Sequence, residues 1–309
     1  MSQPPVPAPP SLVLSTPADT LAAIPYFIGY HPNSDLVIVG LQNSRYHAAL
    51  RCDLWPTNTP CPITPRLLAD IRIDTALVAS FGSRRQAALC LAATCQAIID
   101  AGILAEQLIV VCDGGYRDFL NGGHTLLPLP DATSALAAGL TAAGYGAFPD
   151  RASFLRHLDP VPGAFTTAVN TASATQRNRT PGELTSTLAE FLDANGTHGL
   201  PDAEATAALL LAITAPDISP LVLDASTPER LTSLIPLWTH LVRHAPRRLR
   251  AVPAAFLAYT ARKAGNTGLA RLAIDHACAA DAAHPVVAMI ASAVDGWIPS
   301  IAPRKGPRT

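Results

Sequence analysis

The sequence predicts an α/β front half, a mixed sheet with flanking helices, joined to an all-α helical back half. Three observations carry this. Short apolar runs alternate with capped helical patterns up to about residue 150, and every pattern beyond Thr180 has the 3.6-residue period of a helix. A polar, Pro-containing stretch at 159–179 separates the two. The expected organisation is a disordered Pro-rich tail at 1–10, an α/β domain at 11–158, a linker at 159–179, a helical domain at 180–301 and a disordered tail at 302–309.

The front half opens with a helix-like segment that runs through "YFIGYHPNSD" into the apolar run "SDLVIVGL". Pro25 and Pro32 bracket this corner, Gly29 is free to take positive φ, and Asn33 and Ser34 are turn formers before a strand. "SDLVIVGL" and "YHAALRCDL", separated by "QNSR", suit an antiparallel hairpin. "TPRLLADIR" reads as a helix with Thr64 as N-cap and Pro65 in the first turn, followed by the strand "TALVASF". "GSRRQAALCLAATCQAIIDAG" is a strong helix, with Leu91, Cys95, Ile98 and Ile99 on one stripe and Gly102 at its C-terminal stop. The buried strand "QLIVVC" then runs into "DGGY", and "TSALAAGLTAAG" adds a helix ending at Gly144. Strand, helix, strand in this order implies a right-handed crossover and at least one parallel pair.

In such sheets ligands sit beyond the carboxyl ends of parallel strands, where helix N-termini offer free N–H groups. Two places have suitable chemistry. Ser83 and Arg84 open a helix after one strand, where a hydroxyl and a guanidinium meet an anion, and Asp113 follows the neighbouring strand, where a carboxylate takes a ribose hydroxyl or a metal. The plain readings are an ordinary N-cap and a tight turn, and neither a GxGxxG nor a Walker pattern is present. His31 is the fourth candidate for ligand contact, the plain alternative being a ring hydrogen bond that holds the helix-to-strand corner.

The back half reads as helices throughout. "TPGELTSTLAEFLDANG" has Thr180 as N-cap, Pro181 at the first position, Glu183 closing a capping box, and a stripe of Leu184, Leu188, Phe191 and Leu192 before Asn195–Gly196. "DAEATAALLLAITA" stops at Pro216. A helix beginning near Thr227–Pro228 carries Leu231, Leu234, Ile235, Trp238, Leu241 and Val242, and Pro236 within it predicts a kink or a break. His240 and His244 fall on its opposite, wet face, and with no third ligand at a characteristic distance no metal site is assigned. Arg243, Arg247, Arg248 and Arg250 form the only basic cluster, at a helix junction. "AAFLAYTARKAGNTGLARLAIDHACAAD" is a helical hairpin in which small residues, Ala270 and Ala277, allow close approach, and His276 lies on the apolar face.

Composition narrows the function classes. The chain is alanine-rich, 49% hydrophobic and 15% charged, with a formal net charge of −1, which offers no general attraction to phosphate polymers or anionic lipid. Stacking aromatics beside the basic cluster are also absent, so nucleic acid is disfavoured as a partner. "MSQPPVPAPP" lacks the basic and apolar regions of a secretory signal, and no apolar window reaches the roughly 20 residues of a bilayer span. Six cysteines without a CxxC pair read as buried free thiols, and the expected compartment is the cytoplasm.

"TPADTLAAIPYFIGYHPNSDLVIVGL", "DGGYRDF" and "LAYTARKAGNTGLARLAIDHACAAD" together resemble the opening signature, middle and closing hairpin of a largely actinobacterial family known only as a domain of unknown function, family 4192. The resemblance brings no catalytic residues and no cofactor. Members similar to this chain often have a Cys-Cys-Pro segment shortly after the tyrosine matching Tyr116; "RDFLNGGHTLLPLP" has no cysteine, so any role of that segment does not apply here. The Pro that usually follows the aspartate matching Asp281 is also missing. The residues thus imply a non-enzymatic module that binds a protein partner or a small anionic ligand. The alternative is an enzyme or a nucleotide or phosphometabolite sensor with its site at the carboxyl edge of the sheet.

Overall fold

The computed structural model describes residues 14–297, apart from 57, 124, 132–133, 143–145, 179, 194–198, 215–218 and 228–229. The two tails expected at 1–10 and 302–309 lie outside the described residues, as do Gly144, Asn195–Gly196, Pro216 and Pro228. The chain divides into two compact units between Arg151 and Ala152.

The first unit is built on a six-stranded mixed sheet. Helix α1 (Pro17–Ile28) starts from a capping box between Thr16 and Asp19 and stops at Gly29, whose φ of 91° closes the last turn. Strands β1 (Asp35–Gln42) and β2 (Arg45–Asp53) form the expected hairpin. The Asn43–Ser44 turn between them has φ of 52° and 59°, the double left-handed turn whose twist matches the strands. Helix α2 (Pro65–Ile71) is capped by the Thr64 hydroxyl, and β3 (Thr75–Phe81), α3 (Arg84–Asp100) and β4 (Leu104–Cys112) follow as the crossover unit. The order is β2-β1-β3-β4, extended by β5 (Gly115–Asp118) and β6 (Leu127–Pro128); β3 and β4 are its parallel pair. Helix α4 (Ala135–Ala142) completes the unit.

Strand alternation sends two cores to opposite sheet faces. Leu36, Ile38, Leu50, Val78 and Val110 pack with α2 and α3 in one cluster, and Phe27 of α1 stacks on Tyr46 on the other face at 4.2 Å. Two expectations need correction here. The buried arc of α3 runs through Ala87, Cys90, Leu91, Thr94, Ala97 and Ile98, whereas Cys95 is half-buried and Ile99 is 61% exposed. The arc is turned by about one residue because small side chains, Ala87 and Ala97, let the helix lie close to the sheet. Strands β5 and β6 were not anticipated: they are short and rich in Gly and Pro, and they depend on pairing with β4.

The second unit is helical: α5 (Arg151–Leu155, beginning at the division), α6 (Ala164–Thr175), α7 (Pro181–Asp193), α8 (Ala203–Ala212), α9 (Ser219–Ala225), α10 (Leu231–His244), α11 (Ala251–Lys263), α12 (Thr267–Asp281) and α13 (Pro285–Trp297). The irregular stretch expected at 159–179 instead contains α6, which buries Val169 and Ser173 and packs on α8. Thr180 and Glu183 form the expected capping box of α7. No break occurs at Pro236: α10 runs through it, with the Pro exposed and Trp238, Leu241 and Val242 fully buried. Helices α11 and α12 form the expected hairpin, turning at Gly265 (φ 80°) with the Asn266 side chain accepting from the Leu269 N–H at 3.0 Å. Ala270 and Ala277 are fully buried on it, and His276 is only half-buried.

Candidate functional site

The carboxyl ends of β3 and β4 define one edge of the sheet. Because β1 runs antiparallel to β3, β1 begins and β2 ends at this same edge. The loops are stitched by backbone bonds: Gly82 N–H to the Val111 carbonyl at 3.1 Å, and Leu54 N–H to the Ser34 carbonyl at 3.1 Å. Gly82 has φ of 153°, a conformation that L side chains rarely adopt, so the backbone at this crossing favours glycine.

Each of the four sequence candidates lies at this edge and each is exposed. His31 contributes its backbone N–H to the Phe148 carbonyl at 2.9 Å, so main chain rather than the imidazole ties down the corner. Ser83 occupies the N-cap position of α3 without making a side-chain cap bond, and Arg84 is the first helical residue. Asp113 and Gly114 are the central residues of the β4–β5 turn, with φ of 52° and 73°. The Asp113 carboxylate sits against the Cys112 thiol, which burial first, and then this carboxylate, hold above its usual range. Among the described residues no hydrogen bond or ion pair joins any two of the four.

The same edge contains a polar network not foreseen as a unit. Asp35, at the start of β1, accepts from the Tyr30 hydroxyl at 3.1 Å, from Arg51 Nε at 2.6 Å and from the Asn33 N–H at 3.1 Å. Arg51 also pairs with Asp53 Oδ1, the same oxygen that Arg151 meets at 2.8 Å. Side-chain exposure rises along the chain of pairs, 6% at Asp35, 19% at Arg51 and 64% at Asp53. Burial first, and the neighbouring Asp35 second, push the Tyr30 phenol up against the opposing pull of Arg51, so it stays a neutral donor. Burial alone would lower Arg51, but its polar and charged neighbours, the Asp35 and Asp53 carboxylates among them, outweigh it and hold the guanidinium charged. The network is internally satisfied and fixes the corner chemically. The sequence signal for it is an acid directly before an apolar run and an arginine two residues before a second acid in the next strand, readable only once the hairpin register is known.

In the second unit, His240 and His244 do not lie on a wet face. They are half-buried, His240 Nε2 at 3.2 Å from the Thr206 hydroxyl and His244 Nδ1 at 2.8 Å from that of Thr166, with the Phe165 ring edge-on to both. Helix α6, in a stretch whose sequence predicts irregular structure, supplies Phe165 and Thr166 to cover both rings. Burial, His244 and Arg243 pull His240 down to about 4, so it is a neutral packing group near pH 7. Among the described residues no group of three or more His, Cys, Asp or Glu side chains is placed to hold a metal ion, and no helix is long and apolar enough to cross a membrane.

No curated protein and no solved structure matches the chain. A family profile described as "Domain of unknown function (DUF4192)" matches residues 17–300, across both units and every element from α1 to α13. The chain belongs to that family.

Proposed function

We propose that the chain is a non-enzymatic, cytoplasmic binding module that takes a small anion at the carboxyl edge of β3 and β4. The observation that carries this reading is the uncapped first turn of α3. Ser83 leaves the opening N–H groups without a side-chain acceptor, and Arg84 and Arg85 stand exposed beside them. A second feature points the same way. Ser80, fully buried on the α3 face of β3 two residues before Gly82, has a hydroxyl with no partner among the described residues. An anion settling on the α3 opening gains main-chain donors, the helix dipole and two guanidinium groups together. The cytoplasmic assignment is supported by the six cysteines, all free. A non-enzymatic role is supported by the raised thiols of Cys52, Cys61, Cys90 and Cys112, which are poor nucleophiles.

The test is calorimetric titration and thermal melting with inorganic phosphate, pyrophosphate and a nucleoside triphosphate. Wild type should bind at least one of them and melt about 2–4 °C higher. The double variant Arg84→Ala, Arg85→Ala should fold normally and lose the response. Wild type that ignores every anion into the millimolar range would sink this reading. Product formation from a bound anion would instead establish the enzymatic alternative.

A further inference from the structure

The second unit carries a local excess of positive charge that its own fold leaves uncompensated. Residues 152–300 contain eleven Arg and Lys against twelve Asp and Glu, a net −1, yet four of the cations fall within 243–250. The stretch 231–274 contains no Asp or Glu. Helix α10 ends at His244, a 3₁₀ turn spans Arg247–Leu249, and α11 starts at Ala251. The Arg250 N–H donates to the Arg247 carbonyl at 3.4 Å, which carries the turn through Arg250. Residues three apart in such a turn stand one above the other, so Arg247 and Arg250 share a side, while Leu249 is buried. Arg247 and Arg248 are exposed, and Arg243 and Arg250 are half-buried. Capping the end of α10 occupies one of the four: Arg250 Nη2 donates to the Ala245 carbonyl at 2.9 Å. The carbonyls of Leu241 and Arg243 are taken by the N–H groups of Ala245 and Val161, at 2.9 and 3.0 Å. Among the described residues the side chains of Arg243, Arg247 and Arg248 make no hydrogen bond, and none of the four forms an ion pair. Burial lowers Arg250 most, Asp159 opposes this by attraction at longer range, and Arg247 adds its repulsion. The Nε atoms of Arg243 and Arg250 are buried without a partner among the described residues, so both stems are held before any ligand arrives.

We propose that this junction is a docking surface for an acidic segment of a partner protein, a run of Asp and Glu side chains received by Arg247 and Arg250 together and flanked by Arg243 and Arg248. Arginine suits the task because its planar guanidinium donates two parallel N–H bonds to one carboxylate. A carboxylate set between Arg247 and Arg250 turns their mutual repulsion into two attractions. The segregation of charge selects the partner class. A long phosphate polymer is repelled by the unit's twelve carboxylates, whereas a short acidic segment engages the arginine corner alone. The surface belongs to the helical unit and does not depend on an anion at the β3–β4 edge of the other.

The experiment is fluorescence anisotropy with the full-length chain and three labelled probes at near-physiological salt: a Glu-Ser repeat peptide, its Gln-Ser counterpart and a single-stranded oligothymidylate. Wild type should bind the Glu-Ser peptide, more weakly as salt is raised, and ignore the Gln-Ser peptide. The double variant Arg247→Ala, Arg248→Ala alters only exposed side chains without bonds, so it should fold as wild type and weaken binding about tenfold or more. Arg250→Ala should weaken binding too, and the double variant decides the matter if Arg250→Ala does not fold. Arg84→Ala, Arg85→Ala, in the first unit, should bind the peptide as wild type does. Four results would each overturn the inference: no binding of the Glu-Ser peptide into the millimolar range, equal binding of the Gln-Ser peptide, tighter binding of the oligothymidylate, or a loss that follows Arg84 and Arg85 and spares the Arg247, Arg248 variant.

Discussion

Asp35 and Asp53 stand directly opposite one another across the β1–β2 ladder, two carboxylates as a cross-strand pair. Like charges in that position repel. Arg51, two residues before Asp53 on the same face, bridges them, and Tyr30 completes the shell around the buried member. Arg51 therefore serves as the shared counter-ion of a pair that would otherwise drive the hairpin end apart. Arg51→Leu should cost about 3 kcal/mol, because it strands a buried carboxylate beside a second one. The double variant Arg51→Leu, Asp35→Asn should recover at least half of that. Urea unfolding in a Trp238→Phe, Trp297→Phe background, followed by the emission of Trp55, which is buried in this unit, measures both. Equal losses in the single and double variants would contradict the bridging role.

Tyr30→Phe probes the same network from its dry side. It removes one hydrogen bond to a carboxylate that keeps two other donors, Arg51 Nε and the Asn33 N–H, so the expected loss is about 1–2 kcal/mol. The same urea series, read at Trp55, gives the value.

Two glycines make opposite predictions. A Cβ on Gly139, inside α4, meets nothing within 4 Å, so Gly139→Ala should raise stability by about 0.5–1 kcal/mol through helix propensity alone. A Cβ on Gly115 would stand 2.5 Å from the Leu127 carbonyl oxygen, a backbone atom of β6. Gly115→Ala should therefore cost about 1–3 kcal/mol and release β6 from the edge, visible as faster amide exchange at Leu127.

How much of this was legible follows from where each element gets its stability. The strands from β1 to β4 and helix α3 carry their own signals, apolar runs bounded by turn formers and a long helical period, and they stand where the sequence puts them. Helix α6, "AFTTAVNTASAT", has four threonines and an asparagine that are indifferent helix formers; its helicity rests on burying Val169 and Ser173 against α8, which local sequence does not encode. With α6 read as loop, nothing was available to cover His240 and His244, and a helical wheel assigns histidines to water by default. At the edge, topology alone gathers His31, Ser83, Arg84 and Asp113. The Asp35–Arg51–Asp53 bridge depends on hairpin register, since one residue of slip would send Arg51 to the other face.

The histidine pair supplies a pH dependence with a definite sign. His240 is held down to about 4 in the folded unit, chiefly by burial, then by His244 and Arg243, against an ordinary value of 6.5. His157 and His244 are lowered in the same direction, by burial first and Arg243 second. The groups around His240 are the hydroxyl of Thr206 from α8, the Pro201 backbone, whose hydrogen bond opposes the shift, the ring of Phe165 from α6, and His244 and Arg243 on its own helix, with no carboxylate paired to it among the described residues. A folded value below the unfolded one means that the unfolded chain takes up the proton first. Stability is then fully present above about pH 6.5 and declines as pH falls toward 4. Allowing for the partial exposure of the ring, His240 should account for about 2 kcal/mol of that decline. In a Trp55→Phe background, tryptophan emission reports the second unit, which holds the buried Trp238. Urea unfolding at pH 7.5 and pH 5 in that background should lose stability on acidification, and His240→Phe should lose distinctly less. Parallel losses in the two proteins would mean that the imidazole is already protonated in the folded state and that Thr206 and Phe165 do not keep it dry.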